Sequence, residues 1–68
     1  MPARQEALKQ LQVAYTARPD PEIAAHLGEV LWTMGRTDQA QGVWRDGLAR
    51  SPDNETLRDT LKRLKVKL

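Results

Sequence analysis

The chain contains an internal repeat with a period of 33 to 34 residues. A shift of 33 residues places small residues on small ones, large apolar residues on large ones, and proline on proline. These aligned pairs are Ala7 with Ala40, Leu11 with Trp44, Ala14 with Gly47, Pro19 with Pro52 and Asp20 with Asp53; a shift of 34 pairs Ile23 with Leu57 and Leu27 with Leu61. A fixed period of this length is typical of architectures in which one supersecondary unit stacks on the next.

Apolar residues recur at spacings of three and four along the whole chain, which predicts helices and not strands. We therefore expect an all-α fold with four helices in a single domain, residues 1–68. The first helix is predicted to end before Pro19 and Pro21, which also force an extended link. Asp20 suits the N-cap of the second helix, with Pro21 in its first turn.

The later helix ends carry comparable signals. Gly35 suits a left-handed C-terminal cap after a second helix that reaches Met34. Thr37 is predicted to cap the third helix, and either Asp53 or Asn54 is predicted to start the fourth. The fourth helix is expected to continue to the last residue on a stripe of Leu57, Leu61, Leu64 and Leu68. Because the links are short, sequential helices should be antiparallel neighbours.

Composition and spacing give little support to catalysis. The chain has no cysteine, so neither a disulfide nor a thiolate metal site is available. His26 is the only histidine, and no cluster of His, Asp and Glu has metal-ligand spacing, so we expect no catalytic residue, metal ion or cofactor. Glu22 and Glu29, seven residues apart, are interpreted as solvated surface carboxylates. The net charge of +2 does not by itself indicate nucleic acid.

Residues 21–54 resemble the tetratricopeptide repeat, whose pattern is W-x2-L-G-x2-Y, then A-x3-F, then P. The segment has a tetratricopeptide-like Leu-Gly pair, a large apolar residue in the tyrosine place and another in the phenylalanine place, with Ala24 as its departure from the first tryptophan. The matching residues are Leu27, Gly28, Leu31, Ala40, Trp44, Gly47 and Pro52. Residues 3–19 then resemble the second helix of a preceding repeat, and residues 55–68 a capping helix. The chain is similar to the C-terminal end of a bacterial protein of this family.

The small residues of the motif have a physical interpretation. Gly28 lies inside a predicted helix, where glycine costs roughly 1 kcal/mol relative to alanine. We expect it to allow the close approach of another helix that carries Ala40 and Gly47, with Trp44 between them. Lys62 stands where Gly28 would recur, and a lysine at that place predicts a solvated terminal helix that ends the array.

The resemblance implies a protein-binding scaffold or adaptor, because the first helix of each repeat in this family lines a concave surface. The residues that it places there are Glu22, Ala25, Glu29, Trp32 and Thr33, followed by Thr56, Asp59, Arg63 and Val66. Ala25 and Glu29 do not match the basic clamp that some members use for a terminal carboxylate. Trp32 is either an exposed anchor for a partner or a residue that packs partly against the capping helix.

Two other functions remain open at this point. The first helix lacks its partner helix, so Leu8, Leu11 and Tyr15 are predicted to form an open face through which the chain self-associates. The basic end offers weak binding to nucleic acid or another anionic surface through Arg58, Lys62, Arg63, Lys65 and Lys67. Nucleic acid is the less favoured partner, because no aromatic residues lie among these cations for bases to stack on.

Overall fold

The computed structural model describes residues 3–68, and this part of the chain contains four α-helices and no strand. The all-α prediction is confirmed. The helices are α1 (Ala3–Ala17), α2 (Pro21–Thr33), α3 (Thr37–Arg50) and α4 (Glu55–Arg63). The shortest dimension of the molecule is 17 Å, which corresponds to two layers of helices packed 8 to 10 Å apart.

The start of α2 follows the prediction. Asp20 has extended backbone angles, and its Oδ1 accepts a hydrogen bond of 2.8 Å from the backbone N–H of Glu22. Pro21 is the first helical residue, where its missing N–H is harmless. The corresponding cap of α4 is Asn54, whose Oδ1 accepts from the N–H of Leu57 at 2.9 Å.

The start of α3 differs from the prediction. Thr37 is the first residue of the helix and not its cap, and the N-cap position is held by Arg36, whose side chain makes no capping hydrogen bond. The preceding turn already uses Arg36, because its N–H donates to the carbonyl oxygen of Leu31 at 2.9 Å. The link between α2 and α3 is therefore too short to place Thr37 before the helix.

The helices α2 and α4 end in the same backbone motif. At the end of α2, Gly35 has a positive φ of 82° and donates its N–H to the carbonyl oxygen of Trp32 at 3.1 Å. At the end of α4, Lys65 takes that place with a φ of 57° and donates to the carbonyl oxygen of Lys62, also at 3.1 Å. Such a left-handed residue stops a helix.

The prediction that the fourth helix reaches residue 68 is therefore wrong. It ends at Arg63, and Leu68 is 44% exposed instead of continuing the leucine stripe. Val66 donates its N–H to the carbonyl oxygen of Leu61 at 2.9 Å and packs against the core. The second helix ends at Thr33, one residue earlier than predicted.

Helix α2 forms the centre of the molecule and packs against each of the other three helices. Among residues 3–68, the backbone of α1 approaches neither α3 nor α4, so α2 joins the two ends of the fold. Trp44 is completely buried, as predicted. The buried apolar cluster around it is completed by Leu8, Ala25, Leu27, Leu31, Ala40 and Leu57.

The predicted open face of α1 is turned inward. Leu8 is only 6% exposed and belongs to the core, while Leu11 and Tyr15 are half-buried and pack against it. The hydroxyl of Tyr15 also donates a hydrogen bond to the Oδ2 of Asp46 in α3. These three residues are consequently not the free surface on which the self-association prediction depended. The large apolar side chain that α1 does expose is Val13, at 63%.

Candidate functional site

The exposed side of α2 is a continuous stripe of polar residues. Glu22, His26 and Thr33 are exposed, and Glu29 is half-buried at the edge of the stripe. Their spacings of four, three and four residues place them on one helix face. We call Glu22, His26, Glu29 and Thr33 the α2 stripe. Along this face, a partner can reach the central helix of the fold.

A depression of about 290 Å³ lies along this stripe. Its lining consists of His26, Glu29, Val30 and Thr33, so one apolar side chain lies among polar ones. The hydroxyl of Thr33 donates to the backbone carbonyl oxygen of Glu29 at 2.8 Å, which fixes its orientation. The carboxylate of Glu22 makes no side-chain contact with a cation in the described part of the chain and is available as an acceptor.

An ion pair joins the stripe to α4. The Nη2 of Arg63 donates to the Oε1 of Glu29 at 2.7 Å, across 34 residues of sequence. This hydrogen bond, together with the charge of Glu29, raises the pKa of Arg63 above its usual value. Both side chains remain substantially exposed, so solvent screens the pair and it contributes little to stability. Its effect is positional, because it brings a guanidinium beside the α2 stripe.

Two other residues of α2 that the sequence places on this surface, Ala25 and Trp32, are not freely exposed on it. Ala25 is 1% exposed, so the prediction that it contacts a partner is wrong. Trp32 is half-buried and packs against Trp44, with ring centroids 5.6 Å apart and planes inclined by 42°. Ala25 and Trp32 share a line of α2 with Glu29, the residue that bonds to α4. Trp32 is therefore part of the packing and not a freely exposed anchor.

The predicted residues of α4 also separate. Arg63 lies beside the α2 stripe, whereas Asp59 lines a different depression, between α3 and α4. Thr56 is half-buried, and its carbonyl oxygen accepts a hydrogen bond from the hydroxyl of Thr60 at 2.8 Å. Val66 is half-buried against the core. Of the predicted set, Glu22, Glu29, Thr33 and Arg63 share one surface.

Two features of the structure lie outside the set of site residues predicted from the sequence. His26 lies in the middle of the α2 stripe, and its distance of four residues from Glu22 and three from Glu29 already indicated this position. No sequence spacing predicts the contact between Tyr15 and Asp46, because the two residues are 31 positions apart and lie on different helices. Burial, reinforced by the hydrogen bond to Asp46, raises the pKa of Tyr15 to about 12.

Arg50 extends this contact along α3. Its Nε donates to the Oδ2 of Asp46 at 3.2 Å, so one carboxylate oxygen accepts from both the tyrosine and the guanidinium. The hydrogen bond from Tyr15, and then that from Arg50, lower the pKa of Asp46. The three side chains fasten α1 to α3, and their arrangement is that of a structural contact.

Chemical groups suited to metal binding do not converge in the described part of the chain. Within residues 3–68, no group of three or more His, Asp and Glu side chains is placed to hold a metal ion. No helix in the described chain is both long and apolar enough to span a bilayer. Comparison with protein-family models, with curated proteins and with solved structures finds no match for this chain.

Proposed function

We propose that this chain is a tetratricopeptide-type interaction module that binds a segment of a partner protein along the α2 stripe. The observation that carries this proposal is the exposed polar face of the central helix, with its depression lined by His26, Glu29, Val30 and Thr33. The other faces of α2 are occupied by the neighbouring helices. The stripe is therefore where this helix is available to a partner.

The packing around Gly28 and Gly47 supports the tetratricopeptide interpretation. A β-carbon built on Gly47 would lie 2.9 Å from the Cδ2 of Leu57 and 3.0 Å from the Cβ of Ala24. A β-carbon built on Gly28 would lie closer still to the ring of Trp44. In the tetratricopeptide interpretation, Gly28 and Gly47 are the small-residue sites and Trp44 is the large apolar site, and these close contacts are consistent with such roles.

The charges of the stripe indicate which partner groups suit it. Glu22 supplies a carboxylate, and the second carboxylate, Glu29, keeps one oxygen that Arg63 does not contact. Val30 adds a small apolar surface beside Glu29. A partner segment that supplies hydrogen-bond donors, such as lysine, arginine or exposed backbone N–H groups, together with one apolar side chain, matches this arrangement.

The proposal can be tested with a displayed library of random peptides selected on the purified chain. Peptides that bind through the α2 stripe should lose binding to a Glu22→Lys variant. The matched control is Glu6→Lys, because Glu6 is likewise an exposed acidic residue in the first turn of its helix, on α1. Backbone amide shifts in NMR spectra of the complex should be concentrated between residues 22 and 33.

Two results would contradict the proposal. One is a set of selected peptides whose affinity falls equally in the Glu22→Lys and Glu6→Lys variants. The other is a pattern of amide shifts centred on α1 or α3. Either would mean that the α2 stripe is not the binding surface.

A further inference from the structure

A second depression, of about 480 Å³, lies between α3 and α4. Leu48 of α3 and Leu61 of α4 form an apolar floor, and both are half-buried. Arg58, Asp59 and Lys62 of α4 line it with exposed charged groups. We call this the α3–α4 groove. It lies away from the α2 stripe and shares none of its lining residues.

The end of the chain adds positive charge beside this groove. Lys65 directly follows the turn that its N–H makes with the carbonyl oxygen of Lys62. Val66 packs back against the core, so the turn is held in place. Among the residues that line the groove, the cations Arg58 and Lys62 are opposed by one acid, Asp59.

Lys65 occupies a backbone conformation that suits glycine better. Its φ is 57°, and the equivalent residue of α2 is Gly35, with a φ of 82°. A side chain in the left-handed region is disfavoured for L-amino acids. Glycine would adopt this conformation with less strain than lysine does. The presence of a lysine therefore suggests that the side chain at position 65 has a function. The feature that distinguishes Lys65 from Gly35 is a charged ammonium group.

We propose that the α3–α4 groove docks an acidic amphipathic helix of another protein. Its apolar side chains would contact Leu48 and Leu61, since a groove between two helices accepts the ridge of a third. Carboxylates on its flanks would pair with Lys62, Lys65 and Arg58. This inference is independent of the function proposed for the α2 stripe.

The composition of the groove favours a protein over a nucleic acid. A leucine floor offers nothing to a phosphate backbone, and base stacking needs exposed aromatic rings. Trp44 is buried, and Tyr15 and Trp32 are half-buried within the described fold. The cations alone would attract any polyanion, but cations with an apolar floor match an acidic helix with an apolar face.

The test uses a fluorescent helical peptide with leucines at positions i, i+4 and i+7 and glutamates beside them. A second peptide replaces each glutamate with glutamine. Fluorescence anisotropy should give at least about tenfold tighter binding for the acidic peptide, since charge pairing of this kind is worth 1.4 kcal/mol or more. A Lys62→Glu variant should lose that preference. The matched control is Lys9→Glu, the same change at an exposed position of α1.

Three outcomes would overturn the proposal. The first is no binding of the acidic peptide, and the second is equal binding of the acidic and glutamine peptides. The third is competition by duplex DNA of matched charge as strong as by the unlabelled acidic peptide, which would mean binding of any polyanion. A Glu22→Lys variant should bind the acidic peptide at least as well as the parent chain. A result against the α2 stripe can therefore be told apart from a result against the α3–α4 groove.

Discussion

Gly28 of α2 lies directly against the indole ring of Trp44 in α3. A β-carbon built on Gly28 would lie 2.6 Å from the Cδ1 of that ring, and closer still to its Nε1. Trp44 is fully buried, and its indole N–H has no hydrogen-bond partner among the described residues. The contact therefore depends on shape: the ring occupies the volume that any side chain at position 28 would need.

Replacing Gly28 with alanine should destabilise the fold. Alanine is favoured over glycine in helices by roughly 1 kcal/mol, but the overlap with Trp44 should lower the free energy of unfolding by about 1–3 kcal/mol. Urea denaturation followed by circular dichroism measures the change. Gly42→Ala is the matched control, because Gly42 is exposed on α3 and a β-carbon there would meet nothing within 4 Å; this variant should gain about 0.5–1 kcal/mol. Stabilisation by both changes would contradict the packing described for Gly28.

Truncating Trp44 to alanine should cost about 3–5 kcal/mol. A core of this size rarely supplies more than that, so the variant should have lost most of its helical circular dichroism at 25 °C. Trp44→Phe should cost less, about 1–2 kcal/mol, because it keeps an aromatic ring in the space and removes an indole N–H that has no partner among the described residues. If the alanine variant melted like the parent chain, Trp44 would not be the centre of the core.

The parts of the fold that followed from the sequence are those set by local rules. Asp20 before Pro21 and Gly35 after α2 each have the backbone conformation that their residue type favours. The contact of Gly28 with Trp44 was also predictable, because glycine inside a helix is costly unless another group needs the space. In each case the signal lay within one helix end or one repeat.

The predictions that failed depended on how whole helices are oriented. The resemblance predicts that Leu8 lies on an open face, yet Leu8 belongs to the core and α1 packs on α2. The family pattern predicts Ala25 on the binding surface, but it is buried in the apolar core. The early end of α4 has a different cause. Lysine is an ordinary helix former, so Lys65 gives no sign in the sequence that the helix ends before it.

Burial of Tyr15, reinforced by its hydrogen bond to Asp46, should make stability fall in alkali. The pKa of Tyr15 is raised to about 12 in the fold from an ordinary value of 10.0, so the folded chain holds this proton more tightly than the unfolded chain does. Its contribution is complete below pH 10 and is lost as the pH rises from there towards 12. Tyr15→Phe should flatten the decline of the free energy of unfolding over this range. An unchanged slope in the phenylalanine variant would show that the fold does not raise the pKa of Tyr15.

The hydrogen bonds that Asp46 accepts should also make stability fall in acid. The pKa of Asp46 is lowered by its hydrogen bonds from Tyr15 and Arg50, so its contribution is present above the ordinary carboxyl pKa and is lost as the pH falls through the lowered value. Asp46→Asn should therefore reduce the loss of stability on acidification, measured as urea midpoints at a series of pH values. Asp38→Asn, at an exposed acid in the first turn of α3, is the comparison. If the two variants had equal effects, Asp46 would not be responsible for the loss of stability in acid.

Replacing Lys65 with glycine should raise stability and weaken binding at the α3–α4 groove together. Relief of the left-handed conformation is worth about 1–2 kcal/mol, and the greater freedom of glycine in the unfolded chain offsets part of it, so we expect a net gain of about 0.5–1 kcal/mol. The same change removes a cation that the acidic helix would contact. Lys67→Gly removes an equal charge at an exposed residue without a positive φ, so it should not raise stability. A gain in stability with no loss of affinity for the acidic peptide would mean that the charge of Lys65 does not explain why a lysine occupies this strained position.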